Sequence, residues 1–249
     1  AGRIPMGYAS VSDFRQREPR DGEPATQATT AYAGYDDRHI YVVFVCKQPP
    51  GALRAHLARR EDVMDDDIVG VLLDTYRDRR RSYVFVVNPL GIQMDGISSE
   101  GADDDWSFDT LWQSGGRVTS DGFIVWMAIP FRSLRFSNAP SQTWGISFAR
   151  ILPVTNETVF WPYMTRKIQG FGSQMATLEG LERISPGRNL QFIPYAAGTA
   201  ARFLDESAPA YSSRRDGRIG LDTKVVVKDA ITLDFTSNPD FSQVESDEP

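Results

Sequence analysis

Carboxylates and indoles are the side chains in this sequence grouped densely enough to suggest chemistry. Asp65-Asp66-Asp67, with Asp62 and Asp74 nearby, and Asp103-Asp104-Asp105 supply hard oxygens of the kind calcium prefers. Asp65, Asp67 and Asp74 are the metal candidates. Neither cluster has EF-hand spacing, and along a strand Asp65 and Asp67 would share one face while Asp66 points away. The same charges suit a solvated strand entry that deters edge-to-edge aggregation, and Asp74 has neighbouring arginines to pair with. The indoles are Trp106, Trp112, Trp126, Trp144 and Trp161. A sugar ring offers C–H bonds to an aromatic face while its hydroxyls seek planar polar groups, so apolar walls with a few placed polar residues make a sugar site. Trp106 and Trp112 flank Asp109, and Trp161 follows Asn156 and Glu157. The candidate ligand-binding set is therefore Trp106, Trp112 and Trp161 for stacking, with Arg150, Asn156 and Glu157 for hydroxyls. The alternative for each indole is core packing, which large aromatics also serve.

Other chemistries find little to work with. There is no G-x-S-x-G elbow, P-loop, H-E-x-x-H or G-x-G-x-x-G. His39 and His56 are the only histidines, and nothing beside them supplies a nucleophile and an orienting group. A glycosidase needs two carboxylates at a fixed separation, and among 33 acids such a pair can always be imagined, so a hydrolase is the least favoured reading. The net charge of −6, without a basic block, argues against nucleic acid as a partner. Cys46, the one cysteine, excludes an internal disulfide and a cysteine-based zinc site, and its place in an apolar run suits a packed, inert thiol. No apolar stretch reaches the roughly 18 residues of a membrane helix. The chain opens at Ala1 without a leader peptide, which leaves its compartment open.

The elements that must position these residues read as strands. Residues 1 to 27 form a surface lead-in, and Ala28–Tyr35 with Ile40–Cys46 make a first hairpin. Leu53 and Leu57 stand at helical spacing, which predicts a short connecting helix over Leu53–Arg60. Ile68–Leu73 and Ser82–Val87 are apolar strands around the charged tip Arg77–Arg81, and Asn88-Pro89-Leu90-Gly91 turns into a third strand at Ile92–Gly96. Arg117–Thr119 and Phe123–Ile129 form a hairpin about Asp121-Gly122. One helical turn follows at Pro130–Phe136. Further strands are expected at Thr143–Leu152, Thr158–Trp161 and Leu178–Leu181.

Composition shifts at Ser185-Pro186-Gly187. Beyond it Leu190–Phe203 is strand-like, Asp205–Arg218 reads as a polar loop, and Gly220–Lys228 and Ile231–Phe235 alternate with period two. Two alternating segments of roughly nine residues around a tight turn match the strands of a transmembrane barrel. They match a hairpin of a soluble sandwich equally well.

The succession YAGYDDRHIYVVFVC, DDDIVGVLLDTYRDRRRSYVFVVNPLG, WSFDTLWQ, DGFIVWMAIPFRSLRF, TWGISFARI and NETVFWP resembles the family 9 carbohydrate-binding module. More closely it is similar to the variant that opens large bacterial outer-membrane proteins ending in a β-barrel, and LDFTSNPDFSQVESD resembles the entry into that barrel. The resemblance implies an all-β chain. Residues 1–185 would be an antiparallel, jelly-roll-like β-sandwich, and 186–249 the first hairpin segment of a C-terminal β-barrel domain cut short at Pro249. It further implies sugar binding without catalysis, calcium as a possible structural ion, and an outer-membrane or periplasmic setting in a Gram-negative bacterium. The partners would be carbohydrate and the chain's own barrel. A sandwich that plugs, caps or gates the barrel and binds no sugar is the alternative. Trp126 departs from the pattern, standing where the modules carry a glutamate before the Ile-Pro turn.

Overall fold

Alternation along the strands decides the two layers. In β4 (His39–Lys47) every second residue is buried, and in β9 (Gly122–Pro130) Phe123, Val125 and Met127 are fully buried while Ile124 and Trp126 face outward. The computed structural model describes residues 7–49, 51–185, 190–205, 210–227 and 231–237. The chain divides into two compact units, Ala1–Pro186 and Gly187–Pro249.

The first unit is an antiparallel β-sandwich. One sheet has the order β1-β3-β4-β9-β8, where β1 is Ala9–Val11, β3 is Thr29–Tyr35 and β8 is Gln113–Thr119. The other has the order β2-β11-β10-β5-β6-β7. Its strands are β2 (Arg15–Glu18), β5 (Ile68–Asp74), β6 (Arg81–Val87), β7 (Gln93–Ser99), β10 (Ser141–Leu152) and β11 (Glu157–Trp161). The 12-residue β10 is long enough to take two partners on one edge, β11 along its second half and β12 (Ala176–Glu182) along its first. Phe44, Phe85, Phe123, Phe148 and Trp144 fill the space between the sheets.

Four sequence expectations change. The lead-in contains β1 and β2, which pair with β3 and β11 and so join different sheets. Their three and four residues are too few, and in β2 too charged, to show a pattern; backbone pairing alone defines them. No helix forms over 53–60. Carboxylates pin the segment in a non-helical path instead: Arg54 N donates to Asp67 Oδ2 at 2.8 Å and His56 N to Asp66 Oδ2 at 3.0 Å, and Leu57 is left 86% exposed. The expected turn after Pro130 shrinks to a 3-10 turn at Phe131–Ser133. Most of the expected polar loop 205–218 is strand, because β14 runs Ala210–Val227 and pairs residue for residue with β13 (Leu190–Asp205). With β15 (Ile231–Ser237) they form a three-stranded sheet. Arg215 and Arg218 are exposed there, and an open face imposes no apolar pattern on a strand.

Arg150 is the chief correction to the candidate site. It stands on the inner face of β10 between Phe148 and Leu152 and is fully buried. Its guanidinium reaches across the sandwich to Thr29 Oγ1 at 2.8 Å, Gln48 Oε1 at 2.6 Å and the carbonyls of Lys47 and Ala28. It also stacks on Phe123, 5.3 Å from the ring centre. Every one of these partners belongs to the opposite sheet or its flanking loops, so Arg150 ties the layers and has no hydroxyl of a ligand to meet. Cys46 lies in the same interior, where burial pushes its thiol up to about 12 and keeps it inert. Truncating Arg150 to alanine would empty its place in the core and leave the Thr29 and Gln48 acceptors without their donor, which together cost roughly 3–5 kcal/mol. Arg150→Ala should lower unfolding stability by about that much in a urea titration; a loss below about 1 kcal/mol would contradict the tie.

Candidate functional site

A groove crosses the outer face of the larger sheet. The residues of β10 that alternate with Arg150 point into it, namely Ala149 and Ile151, beside Ile68 and Leu72 of β5 and Val84 and Val86 of β6. Ala149 pairs with Gly70, so the middle of the floor carries almost no side chain, and the groove encloses about 160 Å³. Gly70 is tightly seated as well: a Cβ there would lie 3.1 Å from Phe85 O.

Trp106 forms one wall. Its loop is clamped to β7 by paired backbone bonds between Ile97 and Asp105, 2.9 and 2.8 Å. The half-buried indole then lies over Gly96, where a Cβ would meet Trp106 Cε3 at 2.6 Å. Phe160 of β11 and Phe171 form the wall on the far side, their rings 5.5 Å apart. Four strand spacings separate β11 from β7, roughly 19 Å between strand axes, and the groove lies between the rings that rise from the two sides. Glu100 connects the walls. It follows β7 directly, and its Oε1 accepts the amides of Phe171 and Gly172 at 2.8 and 2.7 Å. Arg17 stacks on Phe171, 4.9 Å from the ring centre, and donates to Thr165 O at 2.8 Å. Met64, Ser98 and Asp104 complete the rim.

Of the expected sugar contacts, Trp106 alone borders this groove. Trp112 is buried, with its ring against Phe85 at 5.2 Å and its Nε1 donating to Asp95 Oδ1 at 3.1 Å. Asp95 is itself fully buried and is completed by Arg60 and the amide of Thr110. Trp161 lies on the core face of β11, beside Phe148 at 5.9 Å. Glu157 is buried and accepts from Thr26 N at 3.0 Å and Thr26 Oγ1 at 2.6 Å, fastening the lead-in. Asn156 is exposed in a turn at φ 53°, at the opposite end of β11 from Trp161. These residues are not brought together.

The expected metal set does not converge either. Asp65 is exposed, Asp66 and Asp67 turn inward from a loop, and Asp74 lies at the far end of β5, roughly 20 Å along the strand. Among the described residues no three His, Cys, Asp or Glu side chains stand where one cation could be shared. These residues do not fit calcium. Each has a structural task instead. Asp67 holds Arg54 N and Gln48 Nε2, with burial raising its pKa. Asp66 is lowered: burial opposes its ionisation, but His56 N, Asn88 Nδ2 and the His56 ring at 2.6 Å together outweigh it. Asp74 Oδ2 caps the β5–β6 turn through Arg79 N at 2.8 Å.

Sequence reading missed Phe160, Phe171, Met64 and the small pair Gly70–Ala149. One signal was present. All seven residues of β5 are buried, and a strand apolar on both sides has something beside solvent on its outer face.

A family profile described as a domain of unknown function (DUF5916) matches residues 186–249. No curated protein matches the chain. Among solved structures, the chain is similar to a candidate carbohydrate-binding protein from Bacteroides uniformis, with a TM-score of 0.52 and 14% identity over 68% of this chain and 86% of that one. Two structures of a family 9 carbohydrate-binding module from Caldicellulosiruptor kristjanssonii are more distant. The complex with cellotriose has a TM-score of 0.40 at 14% identity, covering 60% of this chain and 71% of that one. The complex with glucose has 0.41 at 12%, covering 72% and 86%. At these identities the likeness is one of fold.

Because the Trp106 wall depends on a bare Gly96, Gly96→Ala should push the indole off β7. The expected readout is a red-shifted tryptophan emission with the sandwich still folded; an unchanged spectrum would show that the ring is placed by something else.

Proposed function

We propose that the first unit is a non-catalytic carbohydrate-binding module and that the groove on its larger sheet takes the ligand. The observation that carries this reading is the groove itself, an apolar floor between Trp106 on one side and Phe160 with Phe171 on the other, with Ser98 and Asp104 at the rim. Aromatic walls with a few polar groups are what a sugar ring requires. Among the described lining residues Asp104 is the one carboxylate, so the groove offers binding without an acid–base pair. The fold shared with the Bacteroides uniformis protein, which is named for carbohydrate binding, is consistent with it. Affinity should be modest, because an open groove recovers little beyond the cost of ordering the ligand. Titration with cello-, xylo- and malto-oligosaccharides, followed by tryptophan fluorescence, should show binding in the millimolar range. Trp106→Ala should weaken it about tenfold, the scale of a lost aromatic contact. Trp126→Ala, on the other sheet, should not. No response to any oligosaccharide at millimolar concentration would end this reading.

The second unit supports a membrane setting. Its β13 and β14 have 16 and 18 residues, far beyond the usual five or six of a globular strand. Register places Pro194, Ala196, Ile219, Leu221, Leu233 and Phe235 on one face, and all six are exposed. Lipid is the environment that tolerates such a face, and we assign this sheet to the lipid-facing wall of an outer-membrane barrel. Fractionation of the expressing bacterium should then recover the protein with outer membranes; recovery in the soluble fraction would refute the assignment.

A further inference from the structure

The groove sets a chemical condition that an unsubstituted sugar meets only in part. Apart from Ser98, Asp104 and the indole N–H of Trp106, every side chain lining it is hydrocarbon or thioether. The backbone of the floor is engaged in ladders between β10, β5 and β6, so it has no N–H or C=O to lend. A hexose lying flat on that floor would bury hydroxyls against Ile68, Leu72 and Val86 with nothing to bond them, so an unsubstituted sugar is held by the walls and rim alone, at millimolar affinity, and leaves the floor unused. The deepest part lies over Gly70 and Ala149 and suits a narrow apolar group. Its scale agrees: an apolar cavity of about 150 Å³ accepts a benzene-sized guest, and this groove encloses about 160 Å³.

Charge at the rim selects the head group. Asp104 is exposed at the mouth with Asp103 and Asp105 beside it. A carboxylate accepts hydrogen bonds from hydroxyls and repels another carboxylate or a phosphate. A neutral polyol is favoured there, and a fatty acid or phospholipid head is not.

We infer that the ligand of this groove is an alkyl- or acyl-substituted sugar, its aliphatic part on the Gly70–Ala149 floor and its hydroxyls at Ser98 and Asp104. The inference rests on the carbohydrate reading above and names its ligand class. Each methylene that leaves water on the floor tightens binding by about fourfold.

The test is calorimetric titration of the full chain with octyl β-glucoside below its micelle-forming concentration, methyl β-glucoside and octanoate. Octyl glucoside should bind at least tenfold more tightly than methyl glucoside, and octanoate should not approach it. Ala149→Met puts a side chain on the floor from the outer face of β10, away from the core, and should erase the advantage of the octyl chain; its unfolding midpoint verifies that it folds. Equal affinity for the two glucosides would overturn the inference while the carbohydrate reading stands. Octanoate binding as tightly as octyl glucoside would overturn it in favour of a plain lipid. Failure of both glucosides to bind, together with the oligosaccharides, would bring down both readings.

Discussion

A guanidinium sealed between two β-sheets is the constraint on which the sandwich depends. Burying a charge costs several kcal/mol, which hydrogen bonds to the charged group must offset. Arg150 places both of its terminal nitrogens on acceptors only when β10 of one layer faces Thr29, Lys47 and Gln48 of the other at the right height. Apolar packing alone is indifferent to small slides of one sheet over another, because Val, Phe and Ile contacts have no direction. Hydrogen bonds to a planar, forked donor do. Arg150 therefore fixes the offset of the layers, and the large aromatics around it supply the bulk of the burial.

The same strand sets the outer surface. Because β10 alternates, fixing Arg150 inward fixes Ala149 and Ile151 outward onto the groove. The loops around the groove are then held by single carboxylates acting on backbone amides. Glu100 takes the Phe171–Gly172 amides, Asp66 and Asp67 take those of His56 and Arg54, and Asp74 takes that of Arg79. These four acidic residues thus brace the loops around the site, and Asp104 is the carboxylate that lines it. The four are spread over separate loops, each on its own N–H donors, which is why density of aspartate in the sequence does not translate into a cation site among the described residues.

The second unit follows a different rule. In the sandwich the central strands have one face on a shared interior, while in the β13–β15 sheet the register gathers exposed apolar side chains on one face. Long strands with such a face are stable only where the surroundings are apolar or further strands complete the sheet.

The amino-acid sequence by itself determined the strands, and their physical signal is local. Period-two burial in β4 and β9, the turn at Asn88–Gly91 and the Asp121-Gly122 reversal all arise from residues within reach of one another along the chain. Local pattern was misleading at Leu53 and Leu57, whose helical spacing yielded to carboxylates ten and more residues away. It was silent for β1 and β2, which exist only because β3 and β11 offer open edges. The site was the least legible part. Which face of a strand meets the other sheet is decided by long-range pairing. Only that choice buried Trp112 and Arg150, laid Trp161 against the core, and left Trp106 beside Phe160 and Phe171, distant in sequence, on a common groove.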